Sequence, residues 1–120
     1  MMDVKLVDSE LKVMDVLWEK GDMPAKEIAG ILTERYGWNV NTTYTLIKRC
    51  MKKDAVQRTE PGFLCHALIP KEDVQEAETD ALVDKLYGGS VDKLFAALLG
   101  RKKLSDEKLQ KLKQLVEDLE

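Results

Sequence analysis

Apolar residues in the first half of the chain follow helical periodicity three times in succession. In each segment they recur at intervals of three and four residues, so they form one stripe along a helix. Gly21 and Gly37 separate the segments, and glycine readily adopts the left-handed conformation that ends a helix. The predicted helices span 8–20, 24–36 and 40–53.

Polar residues and a proline mark the predicted helix starts. Asp8 or Ser9 can cap the first helix, because either side chain can accept a hydrogen bond from a free amide of the first turn. Pro24 suits the first position of the second helix, where its missing N–H costs nothing. Asn39 can cap the third helix.

After Asp54 the pattern changes to that of short strands. Val56–Thr59 and Phe63–Ile69 flank Glu60-Pro61-Gly62, a turn sequence, and therefore predict a two-stranded hairpin. Helical periodicity returns at residue 71 and predicts three further helices, of which the second spans 91–99 and the last begins at 105. The expected domains are 1–70 and 71–120.

Composition limits the class of protein. The chain has 120 residues, which is typical of one small domain with an appendage. With 44% hydrophobic and 34% charged residues it reads as globular and not disordered. The net charge of -3 argues against a generic nucleic-acid coat protein, which would be strongly basic, but it permits a local basic patch.

Several kinds of site and segment are missing from the sequence. There is no apolar run of transmembrane length and no signal-peptide core, so we expect a cytoplasmic protein with no membrane partner. Two cysteines and one histidine cannot supply four zinc ligands within one chain. There is also no paired-carboxylate site, nucleophile–base set or phosphate-binding loop, so we expect neither an enzyme nor a bound metal or cofactor.

The start of the third predicted helix consists of residues that helix propensity does not favour. Residues 41–45 read Asn-Thr-Thr-Tyr-Thr, and Asn and Thr are poor helix formers. A cluster of basic side chains follows, opposed only by Asp54. The cluster consists of Lys48, Arg49, Lys52, Lys53 and Arg58.

The order helix, helix, glycine turn, helix, hairpin is that of a winged helix-turn-helix, in which the last helix enters the DNA major groove. The predicted fold is therefore mainly α: a winged helix-turn-helix of three helices and a two-stranded wing, followed by C-terminal helices. The predicted base-reading residues are Asn41, Thr42, Tyr44 and Thr45, and the basic cluster is predicted to contact phosphate. A winged helix that binds protein instead of DNA remains the alternative.

Four segments carry a resemblance that covers nearly the whole chain: SELKVMDVLWEKGDMPAKEIAGIL, GWNVNTTYTLIKRCMKKDAV, LVDKLYGGSVDKLFAALL and LSDEKLQKLKQLVE. The best local marks are Met14-x-x-Leu17-Trp18 and the pair Gly37-Trp38. Together they resemble the penicillinase-repressor family of bacterial transcriptional regulators, which includes β-lactam-responsive and copper-responsive repressors.

The resemblance implies a homodimeric repressor that binds an inverted-repeat, pseudo-palindromic DNA operator through its N-terminal winged helix. The C-terminal apolar stripes agree with this, because short helices at the end of a small chain bury their faces best against a second copy. The residues expected at the dimer contact are Leu82, Leu86, Tyr87, Leu94, Leu98, Leu109, Leu112 and Val116.

The chain departs from the family pattern at several positions. Relatives often carry Lys or Arg where this chain has Asn41 and Tyr44, a difference that concerns the operator sequence and not the binding mode. Asp54 replaces a usual glycine, but Asp tolerates the left-handed conformation. The β-lactam branch is inactivated by a protease at an Asn-Phe bond, and Ala97-Leu98 stands there instead. The C-terminal Cys-x-Cys pairs of copper sensors are also missing.

The remaining conspicuous residues have structural interpretations. Trp18 and Trp38 are expected in the core, and Cys50 falls on the apolar face of the third helix, where a buried thiol is expected. Cys65 and His66 are neighbours in a predicted strand. Their side chains therefore point to opposite faces and cannot form a catalytic dyad.

Overall fold

Three helices fold around one core in the computed structural model, which describes residues 5–100 and 105–118 except for the side chains of 112, 116 and 118. The helices are α1 (Asp8–Lys20), α2 (Ala25–Tyr36) and α3 (Val40–Lys52). Each contributes its predicted apolar stripe, and Met14, Ile28 and Ile47 are fully buried. Trp18 and Trp38 pack against this core but stay partly exposed, and Cys50 is buried as predicted.

A small sheet adjoins the three helices. β2 (Val56–Thr59) and β3 (Leu64–Ala67) form the predicted hairpin, with Val56 opposite Ala67 and Thr59 opposite Leu64. The structure adds a strand that the sequence did not predict, β1 (Met23–Pro24), which pairs antiparallel with β3 to give the order β1-β3-β2. The expected mainly α winged helix-turn-helix is therefore confirmed, with a third strand in its sheet.

Pro24 and the start of α1 differ from the sequence predictions. Pro24 lies in β1 and directly precedes α2, which begins at Ala25, because an edge strand tolerates the missing proline N–H. Asp8 and Ser9 do not cap α1, since the helix already begins at Asp8. The preceding amide, that of Val7, instead donates to Glu10 Oε1 at 2.9 Å.

The turns around α3 follow their predictions. Gly37 ends α2 in the left-handed conformation, with φ 69° and ψ 22°. The Asn39 side chain accepts the amide hydrogen of Asn41 at 2.8 Å and so caps α3. Asp54 takes the left-handed conformation expected of it, with φ 59°. These turns fix the direction in which α3 leaves α2 and in which the hairpin leaves α3.

The C-terminal helices are α4 (Lys71–Leu86), α5 (Val91–Leu99) and α6 (Asp106–Asp118). The contacts divide the chain into two units, residues 1–77 and 78–120, and the division falls inside α4. Val74, in the first turn of α4, is buried in the core of the first unit. Within the described residues, no helix is both long and apolar enough to cross a bilayer.

Few described side chains of the second unit are buried. Val83 is buried, whereas Leu82 and Leu86 are 41% and 64% exposed. The other residues expected at a dimer contact are partly buried where their side chains are described. These are Tyr87, Leu94, Leu98 and Leu109, while the side chains of Leu112 and Val116 lie outside the described part.

Candidate nucleic-acid interface

The first turns of α3 present polar side chains to solvent. Asn41, Thr42 and Thr45 are exposed, and the Thr45 hydroxyl donates to the Asn41 carbonyl at 3.0 Å. Thr43, which was not predicted to read bases, is fully buried and faces the core. The polar start of α3 is therefore divided between an exposed face and Thr43, whose side chain is buried.

Tyr44 differs from the other three predicted base-reading residues in its packing. Its side chain is partly buried against the core, and its ring meets Phe63 edge-on, with the ring centroids 5.7 Å apart and the planes at 73°. Such edge-to-face pairs are favourable because the positive ring edge meets the negative face. Tyr44 thus links α3 to the turn of the hairpin.

The basic cluster is not uniform in the structure. Lys48, Arg49 and Lys52 are exposed on the last turns of α3, where cations also favour the negative end of the helix dipole. Lys53 and Arg58 instead have carboxylate partners inside the first unit. The five predicted phosphate contacts therefore separate into three cations that form no ion pair within the described residues and two that are already paired.

Lys53 connects the end of α3 to the start of α1. Its ammonium donates to Glu10 Oε1 at 2.6 Å and to the Lys5 carbonyl at 2.9 Å. The Glu10 side chain is only 2% exposed. Burial alone would raise the pKa of Glu10, but the hydrogen bonds from Lys53 and from the Val7 amide hold that pKa below its usual value. This ion pair was not predicted from the sequence. Its one local signal is Glu10, three residues after Val7, which directly precedes α1.

Arg58 is held by the turn that joins β2 and β3. Its Nε atom donates to Glu60 Oε1 at 2.9 Å, and Nη2 contacts the same oxygen. The guanidinium lies 3.7 Å from the centroid of the Phe63 ring, a cation–π geometry. The other Glu60 oxygen accepts the Phe63 amide hydrogen at 2.8 Å. The hydrogen bonds from the Phe63 amide and from Arg58 lower the pKa of Glu60.

Neighbouring residues of β3 point to opposite sides of the sheet, as predicted. His66 lies on the outer side, with Nδ1 2.7 Å from Asp22 Oδ2 and Nε2 2.8 Å from the Thr59 hydroxyl. Cys65 is buried on the other side, where burial raises the pKa of its thiol to about 11. Burial and the Glu10 carboxylate raise the pKa of Cys50 to about 12. Neither thiol is therefore an activated nucleophile.

The arrangement as a whole is suited to binding a duplex rather than to chemistry. An exposed polar helix start stands on a buried core, exposed cations follow on the same helix, and a hairpin carries a further cation. Among the described residues, no group of three or more His, Cys, Asp and Glu is placed to hold a metal ion.

Comparisons with known proteins agree with this geometry. A family model described as "Penicillinase repressor" matches residues 6–118. The penicillinase repressor of Bacillus licheniformis is 26% identical in an alignment of 116 residues that covers 95% of this chain and 91% of that protein. The solution structure of the DNA binding domain of the repressor BlaI is 28% identical with a TM-score of 0.55, covering 61% of this chain and 93% of that one.

A second solved structure matches the same share of both chains. It is the solution structure of the monomeric form of Bacillus licheniformis BlaI in complex with the blaP half-operator, with 28% identity and a TM-score of 0.53. That relative was therefore solved in complex with half-operator DNA.

Proposed function

The chain belongs to the penicillinase repressor family, and we propose that it represses transcription by binding an inverted-repeat DNA operator as a homodimer. The family is made of transcriptional repressors, which are not enzymes. The observation that supports DNA binding most directly is the exposed polar start of α3. Asn39 caps this helix, and its apolar face packs in the core. A relative bound to a half-operator supports the same conclusion.

Base recognition is assigned to the outer face of the first turns of α3. The side-chain amide of Asn41 can donate one hydrogen bond and accept another, which matches the acceptor and donor that adenine presents in the major groove. The hydroxyls of Thr42 and Thr45 can pair with several bases, and their methyl groups suit a thymine methyl. Tyr44, which packs on Phe63, contributes its phenolic end at the border between helix and wing.

Phosphate contact is assigned first to Lys48, Arg49 and Lys52, because they are exposed. Each phosphate that such a cation neutralises releases a counterion and adds about 0.9 to the slope of log K against log salt. Lys53 acts mainly by fixing α3 to α1 through Glu10. Arg58 can add a contact from the wing once it leaves Glu60.

Dimerisation is assigned to the second unit. Leu86 and Leu82 are exposed there in a single chain, and two-fold pairing would remove both from water. A two-fold dimer predicts half-sites about one DNA turn apart, or a multiple of it. Cleavage at Ala97-Leu98 forms no part of this proposal, since that bond is not Asn-Phe and lies within α5.

The test is a salt titration of binding to two duplexes of equal length. One duplex is the promoter upstream of the protein's own gene, and the other is a scrambled version of it. We expect tighter binding to the promoter and steep salt dependence with both. Equal binding to both would show that the basic side chains work but that the operator lies elsewhere. Absence of binding to both at low salt would favour a protein-binding winged helix.

Two substitutions separate base reading from phosphate contact. Asn41→Ala is expected to lower the preference for the promoter, by about 1–3 kcal/mol for each base pair that is no longer read. Lys52→Ala is expected to weaken binding to both duplexes alike and to lower the salt slope. Lys85→Ala, an exposed lysine of the second unit, is the matched control and should change neither. Equal weakening on both duplexes by Asn41→Ala would remove the base-reading role.

A further inference from the structure

Arg58, the one arginine of the hairpin, lies in β2 and is contacted by Glu60 and Phe63 of the turn between β2 and β3. Arg58 presents two donors, Nε and Nη2, to a single oxygen of Glu60. These two donors form one edge of the guanidinium, which is the edge that a phosphate or a carboxylate engages in a forked contact. In the free protein this edge is therefore already occupied by a carboxylate.

The geometry of the turn keeps Glu60 in that place. Phe63 has φ 50°, a left-handed conformation that is uncommon for a bulky residue. Three contacts hold it there: its amide donates to Glu60 Oε2, its carbonyl accepts the Ala25 amide hydrogen at 2.9 Å, and its ring meets Tyr44. One Glu60 oxygen thus fixes the turn while the other binds Arg58.

We propose that Glu60 is an internal competitor of the DNA backbone, whose carboxylate occupies Arg58 in the free protein and has to be displaced before the guanidinium can bind a phosphate. The proposal rests on the DNA-binding function proposed above. The wing is therefore expected to contribute little to DNA affinity, because Glu60, which binds Arg58, lies only two positions away in the sequence.

The exposure of the Arg58–Glu60 ion pair allows a DNA phosphate to displace the carboxylate. The side chains of Arg58 and Glu60 are 38% and 56% exposed, and an exposed ion pair contributes little free energy because water competes for both groups. A phosphate can therefore replace the carboxylate. Glu60 is ionised at neutral pH, as glutamates ordinarily are, and its lowered pKa extends the ionised range further into acid.

The consequence is a limit on affinity for every sequence. Phosphate contacts carry no sequence information, so a wing cation that is held back lowers binding to operator and to random DNA by the same factor. Base reading by α3 then keeps its share of the discrimination, while background binding stays low.

The first experiment uses Glu60→Gln in the full chain, because glutamine can still accept the Phe63 amide hydrogen but carries no charge. We expect affinity for both duplexes to rise by roughly two- to fivefold per half-site, the range expected when a surface ion pair no longer competes. The salt slope should change by less than about 0.9 per wing, because Arg58 reaches the same phosphate in both proteins once Glu60 is displaced. Glu76→Gln makes the same charge change on the exposed side of α4 and should leave affinity and slope near those of the wild type.

The second experiment repeats Glu60→Gln in an Arg58→Gln background. If Glu60 acts by occupying Arg58, the gain in affinity disappears in that background. An equal gain with and without Arg58 would overturn the proposal, because Glu60 would then only repel the DNA. Unchanged or weaker binding by Glu60→Gln alone would overturn it too. Failure of the wild type to bind either duplex would instead refute the DNA-binding function itself.

Discussion

The two units of the chain bury their leucines to different extents. In the first unit Leu32 has no exposed surface and Leu17 is 3% exposed. In the second unit Leu86, on α4, and Leu115, on the amphipathic helix α6, are 64% and 61% exposed. Helical leucines thus reach opposite environments in the two units.

The difference shows what an amphipathic stripe does and does not determine. A stripe requires a partner surface, because removal of apolar side chains from water is the main favourable contribution to folding. In the first unit, α1, α2, α3 and the sheet provide that surface for one another. In the described part of the second unit, Val83 is the one buried hydrophobic residue. In the proposed homodimer, a second copy of the chain would cover these apolar side chains.

The largest effect is expected from Leu86→Glu in the second unit. Burying one leucine contributes about 1.5–3 kcal/mol, and a two-fold interface contains two copies, so the dimer dissociation constant should rise at least about a hundredfold. Sedimentation equilibrium measures the change. Leu68→Glu alters a leucine of the first unit that is 49% exposed, and should leave the dimer intact. A wild-type chain that is a monomer at micromolar concentration would break the comparison.

Leu32→Ala tests the closed core of the first unit. The change removes a fully buried side chain and leaves a cavity, so the free energy of unfolding should fall by about 2–5 kcal/mol. Urea unfolding followed by tryptophan fluorescence reports this unit alone, because both Trp18 and Trp38 lie in it. Leu115→Ala should change the same transition by less than about 0.5 kcal/mol. Equal costs for the two substitutions would contradict the contrast in burial.

Glu10→Gln addresses the partly buried ion pair between Glu10 of α1 and Lys53 at the end of α3. The folded pKa of Glu10 lies below its unfolded value, so the pair stabilises the protein above the usual glutamate pKa and loses this effect as the pH falls through the folded pKa. We expect a loss of about 1–2 kcal/mol at pH 7, which shrinks below about pH 4.3. Urea unfolding over that pH range measures it.

The exposed pair between Glu19 and Arg35 is the control for that experiment. Their side chains are 57% and 36% exposed, so Glu19→Gln should cost less than about 0.5 kcal/mol at either pH. A loss at pH 7 that did not shrink in acid would show that Glu10 acts through packing and not through its charge.

The smallest effects are expected at two glycines of α2 and its end. Gly30 lies inside the helix, and a Cβ there would meet nothing within 4 Å, so Gly30→Ala should stabilise the first unit by about 0.5–1 kcal/mol. Gly37 has φ 69°, so Gly37→Ala should destabilise it by about 1 kcal/mol. Thermal unfolding of both variants should move only the transition of the first unit. A change in the same direction for both would contradict the left-handed cap at Gly37.

Local features could be predicted from the sequence because their physical causes lie within a few residues. The Asn39 cap and the left-handed Gly37 and Asp54 depend on side-chain reach and backbone sterics, and both are visible in sequence. The Cys65–His66 alternation follows from strand geometry in the same way. The wrong cap at Asp8 or Ser9 shows the limit, since Glu10 takes the Val7 amide instead.

The candidate interface was predicted as a set of residues but not as a set of roles. Poor helix propensity and the order of the elements singled out Asn41 and Thr42, and the structure exposes both. The sequence carries no sign that Lys53 has a buried partner 43 positions earlier in the chain. It also gave no sign that β1 would form, because two residues that include Pro24 carry no strand pattern of their own.

The sequence by itself determined the order of elements, their turns and the positions of the polar and basic residues on α3, because these follow from periodicity, capping and backbone sterics within one segment. Only the tertiary structure decided which cations are exposed and which are paired, since Glu10 meets Lys53 and Glu60 closes on Arg58 through folding in space. It also decided which leucines are covered, because burial is a property of two surfaces and a sequence pattern describes only one of them.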